Sequence, residues 1–285
     1  MNYRILTDSC CDLGKDLLAQ LEVGMAPLGV DFGDRFVLDG DLDLKEFYDG
    51  MRNGVVSTTS AVNPEGWIEK MEPALKAGED VLVLAFSSAL SATYQSAVIA
   101  AEELSEKYPD RKIQVIDTLC ASVGQGLLVY KAAKMRQAGK TMEEVHNWVM
   151  ANRDHVAHWV TVEDLKYLKR GGRISAATAV VGTMLSIKPI IHVDVEGKLS
   201  SVDKCRGRKA SMNYLTDKLG STIVPEGVET VFLSHADCLE DAKHIEAVAK
   251  EKWGVKEFII SDIGPVIGSH TGPGCLALCF LASEK

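Results

Sequence analysis

No stretch of the 285 residues approaches the ~18 consecutive apolar positions that would cross a bilayer. The opening, MNYRILTDS, is interrupted by Asp8 too early for a secretory signal. The sequence contains neither GxxxxGKS nor GxSxG, so it encodes no P-loop and no standard hydrolase nucleophile elbow. Its seven cysteines lack CxxC spacing and sit among apolar neighbours. That pattern argues for reduced, mostly buried thiols rather than disulfides or paired metal ligands. A nucleophilic role for Cys10 or Cys11 ranks below packing. Positive charge is also short. Lys and Arg number 31 against 40 Asp and Glu, and the net charge of -9 argues against nucleic acid and against general affinity for anionic membranes. The expectation is a cytoplasmic protein without metal or cofactor, in which any anion site is local.

What is present is a repeated strand, polar turn and helix. Residues 3–6, 81–86 and 113–116 are apolar runs of strand length, each followed by short polar residues and then a helical pattern. Asn63-Pro64 reads as an N-cap with proline in the first turn, and Thr141 with Glu144 as a capping box. Residues 25–38, with Gly33 and Asp34, suggest a hairpin, and residues 44–51 a short helix. This order predicts a parallel α/β sheet, which binds ligands beyond the carboxyl ends of its strands. Those ends carry Thr7, Asp8, Ser9, Ser87, Ser88, Ser91, Asp117 and Thr118. Each hydroxyl alone reads as a helix cap; their concentration points to a site.

A second α/β unit begins near His158. The expected division is 1–160 and 161–285, placed to within about ten residues by these patterns, with a ligand between the two. Strands are expected at 188–193, 199–204, 228–233, 258–260 and 275–281, the first two as a hairpin around Glu196-Gly197. Residues 175–185, SAATAVVGTML, read as a helix of small apolar residues suited to close packing or to lining a tunnel. Arg206, Arg208 and Lys209 put cations at a helix start, against its dipole. Residues 263–274, IGPVIGSHTGPG, read as an irregular loop centred on His270.

The stretch 164–175, DLKYLKRGGRIS, organises the reading. A short helix with Leu165 and Leu168 on one face ends at Gly171 and Gly172, and Arg173 follows. Arginine is a permanently charged fork suited to carboxylate or phosphate. By itself the stretch favours the plainer reading, a helix C-cap followed by a surface arginine.

Six segments together resemble the DegV family: ILTDS, TTSAVNP (58–64), SSALSATYQSA (87–97), DTLCASVGQG (117–126), YLKRGGRIS (167–175) and IGSHTGPG (267–274). They occur in the family's order across nearly the whole chain. The resemblance implies two α/β domains holding one long-chain fatty acid between them. It also implies presentation of the acyl carboxylate to a separate fatty acid kinase subunit, which makes an acyl phosphate. Carried over by motif, the carboxylate ligands are Thr59, Ser91, Arg173 and His270, with Ser60, Ser88, Gly172 and Thr271 in support. Arg206 matches the kinase-docking position. The bound fatty acid is then a ligand, no cofactor is implied, and transient membrane contact is compatible. Ala89 and Ala92 replace glycines of the family pattern, which bears on chain preference rather than head-group chemistry.

Physical chemistry agrees with that picture. A C16 tail buried at ~0.8 kcal/mol per methylene is worth on the order of 10 kcal/mol before entropic costs. The tail would dominate affinity, while a clamp orients the head group and keeps it ionised. Two other readings stand beside it: a Ser91/His270 esterase or acyltransferase, and a lipid sensor with no kinase partner.

Overall fold

The computed structural model describes residues 2–174 and 186–285; the helix expected over 175–185 lies outside the described residues. The first part of the chain runs β1 (Tyr3–Asp8), α1 (Lys15–Gln20), β2 (Val23–Ala26), β3 (Gly29–Phe32), β4 (Arg35–Leu38), α2 (Leu44–Arg52), β5 (Ser57–Ser60), α3 (Pro64–Lys76), β6 (Asp80–Ala85), α4 (Thr93–Lys107), β7 (Ile113–Asp117), α5 (Val123–Gln137) and α6 (Met142–Asn152). Then come β8 (Val156–Thr161), α7 (Lys166–Arg170), β9 (Ile187–Val193), β10 (Leu199–Arg206), α8 (Arg208–Thr222), β11 (Thr230–His235), α9 (Leu239–Trp253), β12 (Glu257–Asp262), α10 (Pro265–Thr271) and β13 (Leu276–Leu281).

The expected parallel sheet is present, in the order β2-β1-β6-β7. Its strand β6 shows why the sequence run is apolar throughout. Val81, Val83 and Ala85 enter one core, and Leu82 and Leu84 enter the core on the opposite face. Helices cover both faces, so no position from Val81 to Ala85 meets water. The two N-terminal caps form as read: the Asn63 side chain accepts from the Gly66 N–H at 2.9 Å, and Thr141 and Glu144 complete a capping box.

A separate three-stranded sheet has the order β4-β3-β5. Its hairpin turns at Gly33 but spans β3 and β4 only; Met25 belongs to β2, paired parallel with β1. The hydroxyl cluster Ser57-Thr58-Thr59-Ser60 is β5 itself.

The third sheet is mixed, in the order β10-β9-β8-β13-β11-β12, with only β11 and β12 parallel. β13, the last strand in chain order, lies between β8 and β11. The tip of the β9–β10 hairpin reaches the first part of the chain. There Ser87 Oγ donates to the Gly197 carbonyl at 2.9 Å. A Cβ on Gly197 would lie 2.2 Å from Ser87 Oγ, so only glycine permits this approach.

Two expectations are corrected. Residues 263–274 are not an irregular loop: Pro265–Thr271 form α10, with Pro265 in the first turn. Its buried Pro265, Val266 and Ile267 pack inward, and Asp12 Oδ1 accepts from the Gly264 N–H at 2.9 Å to secure its start. The basic cluster is also divided. Arg206 ends β10, and Arg208 opens α8, where it pairs with Asp241 at 2.9 Å and Glu163 at 3.4 Å. Those carboxylates remove the conflict with the helix dipole. Arg206 and Lys209 remain exposed.

All seven thiols are free, five of them buried, and burial pushes Cys120 up to about 12. Among the described residues no helix is long and apolar enough to cross a membrane, and no cluster is built to hold a metal ion.

Candidate functional site

The polar end of the site is assembled by three elements. β5 contributes Thr59, α10 contributes His270, and the turn after α7 contributes Arg173. Thr59 Oγ1 and His270 Nε2 are 2.8 Å apart and hydrogen-bonded. The glycine pair after α7 acts through this histidine. A Cβ on Gly171 would fall 2.1 Å from His270 Nδ1, so the missing side chain is the space the imidazole occupies. Gly172 then takes φ +69° and turns the chain so that Arg173 enters the site. Arg173 is held by its own backbone surroundings: Nε donates to the Leu90 carbonyl at 3.1 Å and Nη1 to the Gly171 carbonyl at 2.5 Å.

Burial, with Arg173 and Arg170 nearby, pushes His270 down to about 4. The imidazole is therefore neutral at physiological pH, a hydrogen-bonding group and not a second cation. Arg173 supplies the permanent charge.

These residues line one end of a cavity of about 210 Å³ between the two parts of the chain. Ser60, Ser91 and Thr271 also face it. The remainder of its wall is dominated by apolar side chains, among them Phe86 and Leu90 from the first part and Val160, Ile191, Leu199 and Ala277 from the second. A charged clamp opening onto an apolar chamber suits an amphiphile with an anionic head.

Of the supporting residues, Ser60 and Thr271 reach the cavity, whereas Ser88 does not line it. Ser88 is exposed, and its N–H donates to Asp117 Oδ1 at 3.1 Å. Gly172 contributes its backbone turn from an exposed position. Arg206, exposed at the end of β10, does not line the cavity either. Among the eight strand-end residues only Ser91 lines it. Others are spent locally: Thr7 Oγ1 donates to the Leu84 carbonyl, Thr118 Oγ1 to the Ala85 carbonyl, and Ser9 Oγ accepts from the Leu28 N–H.

Two polar residues in the wall were not singled out as site residues. His158 is buried in β8, with Nδ1 2.9 Å from the Val156 carbonyl and Nε2 accepting from the Ala121 N–H at 3.2 Å. Burial pushes it down to about 3. Ser122 Oγ bonds to Asp12 and Ser234. Neither carries a sequence signal beyond an isolated polar residue among apolar ones.

The esterase reading needs a contact between Ser91 and His270. Among the described residues Ser91 Oγ instead pairs with Thr93 Oγ1 at 2.9 Å, and His270 Nε2 is occupied by Thr59.

Residues 2–283 match the DegV family, described as uncharacterised proteins. The chain belongs to the DegV family. A DegV domain-containing protein of Clostridium perfringens is 44% identical over 288 residues, covering 99% of this chain and 98% of the relative. A DegV lipid-binding protein from Thermotoga maritima has a crystal structure 31% identical in sequence, with a TM-score of 0.88 and full coverage of both chains. A DegV family protein from Thermus thermophilus, whose structure concerns fatty acid binding, is 29% identical, with a TM-score of 0.88 and coverage of 99% and 100%. These two DegV relatives of the same fold are thus described by the lipid or the fatty acid they bind.

Proposed function

We propose that this DegV-family protein binds one long-chain fatty acid, with its carboxylate at Arg173, His270, Thr59 and Ser91 and its tail in the apolar cavity. The observation that carries this reading is the junction of the Arg173–His270–Thr59 cluster with that cavity. The ligand lies between two α/β units that divide near residue 160. Arg173 compensates the carboxylate, and neutral His270 and the hydroxyls orient it. In this reading the protein acts as a carrier and not as an enzyme alone, supported by the pairing of Ser91 with Thr93 and of His270 with Thr59. The carrier presents the head group to a separate kinase subunit for acyl phosphate formation, with exposed Arg206 in the docking surface. This last part rests on the family resemblance. The setting is the cytoplasm.

Denaturing mass spectrometry of the purified protein tests the binding reading. The expected result is a released fatty acid at close to one per chain. Recovery of polar ligands only, with no acyl affinity on titration of delipidated protein, would sink it.

A further inference from the structure

His270 stands on α10, a helix of only seven residues whose place is set by contacts from distant parts of the chain. At its start, Asp12 Oδ1 accepts from the Gly264 N–H at 2.9 Å. Asp39 accepts from the Val266 N–H and from the Ser9 hydroxyl. Tyr48 Oη donates to the Ile263 carbonyl at 2.7 Å. On the flank of the helix, a Cβ on Gly268 would lie 2.7 Å from Tyr48 Oη and 2.8 Å from a ring carbon of Phe47, so α10 rests directly on α2. Near its end, His270 meets Thr59.

The pair of acids is the unusual part of this seat. Asp12 and Asp39 are each 6% exposed, and a Cβ on Gly264 would lie 3.2 Å from an oxygen of each. The two carboxylates therefore converge on one backbone position. Burial pushes both upward, Asp39 to about 6. Burying acids side by side costs stability, so plain stabilisation does not account for them. Their oxygens supply what apolar groups cannot: directional acceptance from backbone N–H groups, which fixes one path for the chain entering α10. Asp12, Asp39, Tyr48 and Gly264 all lie outside the wall of the acyl chamber, so any effect they have on a head group passes through the helix. The ladder bonds that would carry it are short. Gly268 N–H donates to the Gly264 carbonyl and Gly272 N–H to the Gly268 carbonyl, each at 2.8 Å. Asp12 Oδ2 also accepts from Ser122 Oγ, and Ser122 does line the chamber.

We propose that Asp12, with Asp39 beside it, is a positioning residue for head-group recognition: it fixes the entry of α10 and, through that helix, the place of the His270 imidazole beside Thr59 and Arg173. The identity of the ligand rests on the acyl-binding reading; the placement of His270 does not. A helix of two turns moves as one piece, so a displacement of a few tenths of an ångström at Gly264 reaches His270. That is enough to spoil the alignment of hydrogen bonds made by its ring, of which the 2.8 Å contact with Thr59 is one.

Two variants, Asp12→Ala and Gly264→Ala, test this against wild type, all delipidated. The methyl added in Gly264→Ala crowds both carboxylates without removing either, and the φ of −69° there suits alanine. Wild type and Gly264→Ala are titrated with tetradecanoate and with tetradecan-1-ol, which share a tail and differ in head group. The ring nitrogens of His270 are followed by NMR in all three proteins, with exposed His244 as the reference. In Gly264→Ala, tetradecanoate should bind roughly three- to tenfold more weakly, the scale of one hydrogen bond. The alcohol should move by less than about twofold. His270 resonances should shift in both variants while those of His244 hold. Asp12→Ala also releases Ser122 in the chamber wall, so it is read by the resonances alone; if it fails to fold, Gly264→Ala carries both measurements. Equal weakening of acid and alcohol overturns the inference, because a merely structural role does that. Unchanged tetradecanoate affinity overturns it as well. So does weakened tetradecanoate with unmoved His270 resonances, since the effect then bypasses the imidazole. If wild type binds neither ligand, the acyl reading falls, and the resonances decide the inference: shifted, the placement of His270 by Asp12 stands; unshifted, it ends.

Discussion

In the proposed clamp, Arg173 and His270 divide the head-group task by charge. Arg173→Ala removes the permanent cation beside a partly buried carboxylate, for which the usual cost is roughly 2–5 kcal/mol. His270→Ala removes a neutral hydrogen bond, for which about 0.5–1.5 kcal/mol is usual. Fatty acid affinity should therefore fall much further in Arg173→Ala, and titration of both delipidated variants checks the order. Equal losses would mean that the imidazole is charged when lipid is bound. Arg173 was legible in the sequence because GGR after a short amphipathic helix is an unusual string. The purpose of its first glycine was not, because the partner of Gly171 is an imidazole about a hundred residues later. The strand-end hydroxyls show the opposite failure. Their concentration suggested a site, yet Thr7, Ser9 and Thr118 are engaged with neighbouring backbone, and the cavity lies to one side of them.

Among the elements, β8 carries the clearest electrostatic signature. Its His158 is held neutral by burial, with a folded-state value of about 3. An unfolded chain protonates this residue near 6.5, so the unfolded state binds the extra proton first as pH falls. Stability contributed by neutral His158 is therefore present above about 6.5 and lost progressively toward 3. Between pH 6.5 and 5 the loss is about 2 kcal/mol. Asp8 and Asp39, each pushed up to about 6 by burial, act with the opposite sign over the upper part of that range. Urea unfolding of wild type and His158→Gln at the two pH values isolates the histidine: the stability difference between them should shrink by about 2 kcal/mol on acidification. An unchanged difference would show that folding does not shift the titration of His158 from that of the unfolded chain. The other element worth comparing is α10. Its glycines and prolines mark an irregular loop when read locally, and only the buried packing of its first turn, with Asp12 at its start, makes it a helix. Tertiary contacts from distant residues overrode local propensity there, as they did not in α3 or α6, whose caps are sequence-local.

For the molecule as a whole, the parallel sheet was legible because a strand buried on both faces is apolar at every position. The mixed sheet was less so, since antiparallel order depends on which distant strands meet. Its β9–β10 hairpin spans the two parts of the chain, with Val193 and Leu199 in the cavity wall and Gly197 seated on Ser87. Gly197→Val should lift that tip, because the φ of +77° is strained for a β-branched residue and its Cβ has no room. We expect a stability loss of about 1–3 kcal/mol together with faster release of bound fatty acid. Thermal unfolding and stopped-flow lipid transfer measure the two effects. Faster unfolding with unaltered release would show that the hairpin stabilises the fold without closing the chamber. Strand order has a consequence for synthesis. Because β13 fills the gap between β8 and β11, and Ala277 at its start lines the chamber, a chain emerging from the ribosome has a hole in both its sheet and its pocket until the thirteenth strand arrives. Folding of that sheet must wait for a contact of long sequence separation, so it is completed only after β13 has been made. On the proposed reading, lipid capture is thereby reserved for a chain in which β13 is already in place.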